Sequence, residues 1–341
     1  MLLGTSIELL TLFVGFGFVV GILFGFFGMG GSFLVTPALL VMGYPARVAV
    51  GSGMAFVFGT AVIATLKHHD LGQVDYKLGA LMVIGTAIGI EVGRMSVFYL
   101  ESLGLASGII SAAYVLLLGG IGAFVTREAI SGEGGGINHD AADKDLDKYD
   151  VPAFAQKIQD LYLPPMVTLR GDITVSLWII SLVAFATGVL SGFLGVGGGF
   201  IRMPAMVYGI GVPVPVAVGT DLFEIIFSGA IGSYLYAQGG GVDLGIVAPL
   251  LFGSALGARI GSAATEVVDA DSIKVYFGAM LLAGSVAVAI GEVGSYIGSG
   301  AVEMVSLALI LGSAVVVSAA ISYTTLRTLR ASTPTRTTPS D

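Results

Sequence analysis

The segment from Gly21 to Pro37 reads GILFGFFGMGGSFLVTP, and the segment from Gly188 to Pro204 reads GVLSGFLGVGGGFIRMP. Five glycines and the closing proline stand in the same places in both segments, and so does the phenylalanine after the glycine cluster, Phe33 or Phe200. Apolar composition alone aligns leucine with valine, but it does not keep glycine and proline in register. The two segments therefore predict an internal repeat in which each copy carries a glycine-rich interruption.

The repeat continues after a shift of one position and ends near Gly93 in the first copy and Gly261 in the second. The further matches are Pro45, Ala49, Val50, Gly51, Asp75, Gly85 and Gly89 with Pro213, Ala217, Val218, Gly219, Asp243, Gly253 and Gly257. Asp75 and Asp243 each precede the third long apolar segment of their copy. An acidic helix N-cap is the simplest explanation for both.

The composition places this repeat in a membrane. Of the 341 residues, 55% are hydrophobic and 11% are charged, and the mean hydropathy is +0.94. Soluble domains are about 45–50% apolar and about 25% charged. Too few polar side chains remain to cover a water-soluble surface, which excludes a soluble enzyme. The 52 glycines suit close packing and interruption of helices in lipid. The predicted fold class is an all-α polytopic membrane protein.

Nine apolar segments are long enough to cross a bilayer, which takes about 20 residues. They cover residues 7–27, 47–66, 77–98, 103–125, 173–194, 215–236, 244–265, 273–291 and 301–325. Two shorter segments, 32–43 and 200–211, each lie between a glycine cluster and a proline-containing turn.

These segments divide the chain into four parts. A first transmembrane repeat covers 1–125, and a polar acidic linker covers 126–172, with one amphipathic turn near Phe154–Leu163. The second repeat and an extra C-terminal helix cover 173–330, and a disordered tail covers 331–341.

Basic residues near the segment ends predict the orientation, because positive charges collect on the cytoplasmic side. If each short segment completes a crossing, one side collects Lys67, Lys77, Arg127, Arg170, Lys274, Arg327, Arg330 and Arg336. The N-terminus then lies outside, and the central linker and C-terminus are cytoplasmic. The first copy makes five crossings, an odd number, so the second copy is inverted. If the short segments instead re-enter from one side, the copies are parallel; we favour inversion.

The two glycine clusters, Gly28–Ser32 and Gly195–Gly199, each end a long apolar segment and precede a short one. Paired interruptions of this kind point to the central site of a transporter. A helix N-terminus that follows such a break offers unpaired N–H groups to an anion. The predicted anion site lies near the midplane, at the backbone of Gly30, Gly31, Ser32 and Phe33 and of Gly197, Gly198, Gly199 and Phe200. For any single glycine, close helix packing is the alternative explanation.

Charged residues inside apolar segments are costly and mark functional positions. Arg202 follows the second cluster, where the first copy has Val35. It is either a cation of the anion site or a structural residue that pairs with Asp221 or Glu224 or extends to the membrane interface. These two carboxylates are three residues apart and share one helix face, so they could carry a coupling proton or merely neutralise Arg202.

A second feature invites an ion pair between the copies. Glu91 and Arg259 occupy matching positions and carry opposite charges, but both lie toward segment ends, where exposure to solvent is an equal alternative.

The repeated G-x-G-G-[SG]-x-x-x-x-P block, followed by Ala-Val-Gly-[ST] at 49–52 and 217–220, resembles the sulfite exporter TauE/SafE family. The resemblance covers both halves of the chain outside the linker and the tail. It implies a membrane permease for sulfite, sulfonates or related small anions, without fixing which anion. The copies differ within these blocks, since Ser32 and Gly53 stand where the second copy has Gly199 and Asp221.

The leading hypothesis is a secondary transporter, an exporter or permease of a small sulfur-containing oxyanion or sulfonate, that works by alternating access in the cell membrane. A passive anion channel of similar architecture is the second hypothesis, and an intramembrane enzyme is the third. No cysteine is present, and His68-His69-Asp70 is best explained as a solvated loop, so neither a cofactor nor a metal site is predicted. The expected partners are the anion, the lipid bilayer and possible further copies of the chain in a homo-oligomer. A formal charge of −8 argues against nucleic acid.

Overall fold

The computed structural model describes residues 7–27, 32–70, 72–131, 163–169, 173–264 and 270–331. Eleven α-helices make up most of these residues. They are α1 (Ile7–Phe27), α2 (Ser32–Val41), α3 (Ala46–Asp70), α4 (Tyr76–Ser102), α5 (Ala106–Ser131), α6 (Leu177–Leu194), α7 (Gly199–Pro204), α8 (Val214–Gln238), α9 (Leu244–Ala264), α10 (Ala270–Ile297) and α11 (Gly300–Ala331). Within the described residues, nine helices are long and apolar enough to span a membrane. The prediction of an all-α polytopic membrane protein is confirmed.

The observed helices follow the apolar segments closely. The main differences are polar extensions, such as those of α3 to Asp70 and of α5 to Ser131. α4 begins at the N-cap Asp75, whose side chain accepts a hydrogen bond from the N–H of Leu78. Asp243 accepts one from the N–H of Gly245 at the start of α9. Both aspartates thus act at helix starts, as the sequence predicts.

A small β-hairpin replaces part of the predicted linker. Strand β1 (Met166–Thr168) pairs antiparallel with β2 (Thr174–Ser176), so α6 begins later than predicted. The Nζ of Lys77 donates to the carbonyl of Thr168 at 2.7 Å and ties the hairpin to the start of α4. The amphipathic turn expected near 154–163 and the tail lie almost wholly outside the described residues.

Equivalent helices of the two repeats run antiparallel. Along α3 and α8, Met54 meets Gly232 and Phe58 meets Gly229, so one residue number rises as the other falls. α5 and α10 show the same reversed register, since Gly108 lies beside Glu292 and Thr126 beside Gly278. Parallel repeats would align these helices in the same direction. The repeats are therefore inverted, and the alternative with re-entrant short segments is wrong.

The repeated glycines bring non-equivalent helices of the two copies into backbone contact. In α1, Gly17, Gly21 and Gly25 lie against the backbone of Leu250, Ser254 and Ala258 in α9. In the inverted pair, α4 and α6, Gly188 and Gly192 of α6 lie against the backbone of Thr86 and Ile90 of α4. A Cβ at any of these glycines would overlap main-chain atoms of the facing helix. These glycines are thus packing residues, and they join the two repeats to each other.

The Ala-Val-Gly-[ST] blocks form a second set of matched contacts between the repeats. The N–H of Asp243 donates to the hydroxyl of Ser52 at 3.1 Å, and the N–H of Asp75 donates to the hydroxyl of Thr220 at 2.9 Å. A Cβ on the preceding glycine of each block, at 51 or 219, would overlap the opposite loop backbone. Each block therefore holds the loop that begins the third long helix of the other repeat.

We expect Gly21→Ala to lower the free energy of unfolding by about 1–3 kcal/mol, the usual cost of overpacking a close contact. Gly15, on the same helix, is the matched control because a Cβ there would meet open space. Gly15→Ala should be neutral or stabilising, since alanine favours the helix over glycine. Thermal unfolding in detergent compares the two variants, and equal midpoints would contradict the role given to this contact.

The inverted arrangement also predicts the accessibility of two equivalent positions, the first residues of α4 and α9. Tyr76→Cys and Leu244→Cys place single thiols at exposed sites of a chain that has no cysteine. From the basic residues we expect an impermeant maleimide to label position 244 in intact cells and position 76 only after permeabilisation. The opposite result would reverse the orientation, and labelling of both positions from one side would contradict inversion.

Candidate functional site

The second glycine cluster forms a sharp break between α6 and α7. Gly195, Gly197 and Gly198 have φ values of +76°, +70° and +83°, which lie in the left-handed region that favours glycine. The side chains of Val57 and Ile225 fill the space beside Gly197. Each is the twelfth residue of a 25-residue helix, α3 or α8, so the break lies at the level of the middle of the bundle.

Two buried tyrosines hold the end of α6 in place. The Tyr114 hydroxyl of α5 donates to the carbonyl of Leu194 at 2.5 Å. The Tyr236 hydroxyl of α8 donates to the carbonyl of Gly192 at 2.6 Å. These carbonyls belong to the last turn of α6, where no further helical N–H follows to pair with them. The two phenols therefore fix the point at which the chain leaves the helix.

Arg202 of α7 is fully buried and lies beside this break. Its Nη1 donates to Asp221 Oδ1 at 3.1 Å and to Glu224 Oε2. Nε lies 3.5 Å from the Thr187 hydroxyl, and Nη2 lies 3.4 Å from the Gly197 carbonyl. The sequence left two roles open for Arg202, and the structure shows the ion pair with both carboxylates. We call Arg202, Asp221 and Glu224 the buried triad.

The glycines of the cluster make room for the buried triad. A Cβ at Gly198 would overlap the guanidinium of Arg202, and one at Gly199 would overlap the carboxylate of Asp221. Glu224 is fully buried, and the hydroxyls of Thr86 and Ser228 lie beside its carboxylate. The site thus combines a bare backbone, one guanidinium, two carboxylates and neutral hydroxyls.

The equivalent place in the first repeat carries no charge. Val35, Gly53 and Phe56 stand where the second repeat has Arg202, Asp221 and Glu224. Phe24 and Ser254 stand where the second repeat has Ser191 and Thr86. Phe24 and Ser254 line an apolar cavity of about 290 Å³ between α1, α3 and α9. Within the described part of the chain, only the second repeat therefore carries the charged site.

The sequence predicted two glycine half-sites, and the structure describes the glycine cluster of the second repeat only. Gly30 and Gly31 lie outside the described residues, and Ser32 begins α2. The buried ring of Phe33 packs against Phe277 of α10, with ring centroids 6.1 Å apart. Convergence of the two breaks on one anion stays a prediction.

Sequence reasoning missed several residues of the site. The hydroxyls of Thr86, Thr187 and Ser228 and the phenols of Tyr114 and Tyr236 were not singled out, although a polar residue in an apolar helix is a usable signal. The expected pair between Glu91 and Arg259 is wrong. Glu91 instead binds Arg94, one turn along its own helix, at 2.5 and 2.8 Å.

Comparison with known proteins agrees with this architecture. A probable membrane transporter protein of Xylella fastidiosa (strain 9a5c) is 27% identical over 259 residues, which cover 75% of this chain and 85% of that protein. The probable membrane transporter protein YunE of Bacillus subtilis (strain 168) is 24% identical over 271 residues, which cover 77% and 91%. The probable membrane transporter protein MJ0441 of Methanocaldococcus jannaschii is 27% identical over 271 residues, which cover 74% and 86%. No solved structure matches the chain.

The family described as Sulfite exporter TauE/SafE matches residues 13–288, which include both repeats and the buried triad. The match extends over most of the chain, and the relatives carry the names of membrane transporters rather than of enzymes. The chain belongs to the sulfite exporter TauE/SafE family of membrane transporters.

Proposed function

We propose that the protein is a secondary transporter that moves a small anion by alternating access between its two inverted repeats. The anion is sulfite, a sulfonate or another sulfur-containing oxyanion, the class that the family description suggests. The protein acts in the cell membrane, with its central linker and C-terminus in the cytoplasm.

One observation carries this proposal: a buried guanidinium lies beside a backbone break at mid-bundle level. Arg202 is fully buried, and the break at Gly197–Gly199 lies next to it. Irregular backbone at membrane depth persists only where protein surrounds it or where it borders a watery cavity. An arginine offers a rigid set of N–H donors that fits the oxygens of a sulfite or sulfonate group. The site therefore has the chemistry to hold one such anion.

The inverted repeats support a carrier mechanism. Inverted repeats and discontinuous helices are typical of secondary transporters, in which one bundle rocks against the other around a central site. The sequence contains no ATP-binding motif, so an ion gradient or the gradient of the anion itself would drive transport. Each set of glycine contacts joins one helix from each repeat, α1 with α9 and α4 with α6, so each rigid unit contains helices from both repeats.

Uptake by the purified protein in proteoliposomes tests the proposal. We expect saturable uptake of at least one compound among sulfite, sulfate, thiosulfate, sulfoacetate and the zwitterionic sulfonate taurine, with exchange against the same compound inside. Flux that neither saturates nor exchanges would favour a passive channel. A chemically altered product inside the vesicles would favour an intramembrane enzyme, and no uptake of any of these compounds would contradict transport of this class.

Arg202→Lys tests the role of the guanidinium. The ammonium keeps the charge but lacks the planar set of donors, so we expect the KM for the transported anion to rise by about tenfold, equivalent to about 1.4 kcal/mol. Arg94→Lys is the matched control, because Arg94 lies on α4 in the part-buried pair with Glu91. Unchanged KM values in both variants would remove Arg202 from the anion site.

A further inference from the structure

We propose that the anion is transported together with one proton, because protonation of the Asp221–Glu224 pair is what releases Arg202 to bind the anion. This inference rests on the proposed function and specifies how its site is coupled to an ion gradient. In the empty site the two carboxylates bind the guanidinium, and during transport the anion binds it in their place.

The first argument is that every nitrogen of the Arg202 guanidinium already faces an acceptor. Its Nη1 donates to Asp221 and Glu224, its Nε faces Thr187, and its Nη2 faces the Gly197 carbonyl. These contacts take four of the five N–H groups, so an anion that binds two of them must displace at least one of these acceptors. The carboxylates carry the same sign of charge as the anion and can lose it by taking up a proton, which the hydroxyl and the carbonyl cannot do.

The second argument is the charge of a fully buried site. With both carboxylates ionised, the triad carries a formal charge of −1, because one cation faces two anions. Addition of a monoanion alone would raise this to −2, and buried unpaired charge is strongly unfavourable. If one proton binds to the carboxylate pair at the same time, the charge stays at −1. The loaded and empty sites then have equal charge.

The third argument concerns the groups that surround the pair. In the part of the chain that the structure describes, the charged groups that act on Asp221 and Glu224 are Arg202 and the carboxylates themselves. Of the packed helices, α4 places the Thr86 hydroxyl beside Glu224, α6 places Thr187 beside Arg202 and Ser191 beside Gly198, and α3 places Val57 beside Gly197; these four side chains are neutral. Asp75, at the start of α4, contacts the neighbouring Thr220 through its N–H. Proton uptake by the pair therefore controls Arg202 without a competing cation among these groups.

The fourth argument sets the stoichiometry. The first repeat has Val35, Gly53 and Phe56 at the equivalent positions, so the buried triad occurs once rather than twice. One guanidinium can be released by one proton and can then hold one anion. The expected ratio is therefore one proton for each anion, in the same direction.

The test uses the full chain in vesicles that contain a pH-sensitive dye. The probe for coupling is methanesulfonate, a monoanion that does not titrate near neutral pH, and the dianions sulfate and thiosulfate test uptake alone. We expect uptake of methanesulfonate to acidify the vesicle interior by one proton per anion. The affinity should rise about tenfold for each unit of acidification, on the alkaline side of the titration of the pair. Uptake of methanesulfonate with no proton movement would overturn the coupling and leave the proposed function intact, whereas absence of any anion uptake would count against the proposed function itself.

Asp221→Asn or Glu224→Gln alone imitates the pair after it has taken up its one proton. We expect each single variant to bind and exchange methanesulfonate without proton movement and with less dependence on pH than the wild-type protein. Two separate single variants guard against loss of folding in one of them, and movement of one proton per anion in both would contradict the inference. Calorimetry of anion binding to the wild-type protein in two buffers of different protonation enthalpy provides an independent count, and a value of zero protons would refute the inference.

Discussion

Within two helix pairs, α1 with α9 and α4 with α6, the backbones are in direct contact, and the rest of the structure depends on this close approach. A hydrocarbon solvent gives apolar helices no hydrophobic reason to associate, so van der Waals contact between backbones supplies the attraction. That contact is possible only where no Cβ intervenes, as at Gly21 against Ser254 and Gly188 against Thr86. Each pair joins one repeat to the other. The two copies are therefore interlocked, and neither could bury its glycine faces alone.

The same symmetry that builds the scaffold is broken at the site. Gly199 and Asp221 in the second repeat replace Ser32 and Gly53 in the first. The two exchanges are linked in space, because the Asp221 carboxylate fills the volume that a side chain at Gly199 would need. The two repeats thus share one arrangement of helices, and only the second repeat carries charged side chains at this place.

Buried charge rarely stabilises a fold, because desolvation of the ions offsets their mutual attraction. In the first repeat the corresponding positions hold the buried apolar side chains of Val35 and Phe56, so this place in the fold can be filled without ions. Packing alone does not explain the buried triad, whereas binding of a proton or an anion would explain it. The tyrosines contribute rigidity to the same place, since Tyr114 and Tyr236 fix the last turn of α6 while the adjoining glycines stay free of side chains. The break is therefore fixed at its α6 end by hydrogen bonds from α5 and α8.

The sequence by itself determined the membrane environment, the helices and the duplication. Apolar runs such as 7–27 and 244–265 predicted α1 and α9 almost to the residue, because hydropathy and helix length both follow from the thickness of a bilayer. The register of glycine, proline and aspartate revealed the repeat, since these residues report backbone geometry that apolar side chains do not. Asp75 and Asp243 were identified as helix starts for the same local reason.

The tertiary structure alone decided what each glycine does and where each charge goes. Gly21 and Gly198 look alike in the sequence, but one faces the backbone of Ser254 and the other faces the guanidinium of Arg202. Arg202 contacts four acidic or polar groups, and the spacing along the chain could not choose among them. Glu91 pairs with Arg94 instead of the matching Arg259, because a partner one helical turn away is already in contact. Such choices depend on distances between helices that are remote in the chain, and a linear pattern does not contain those distances.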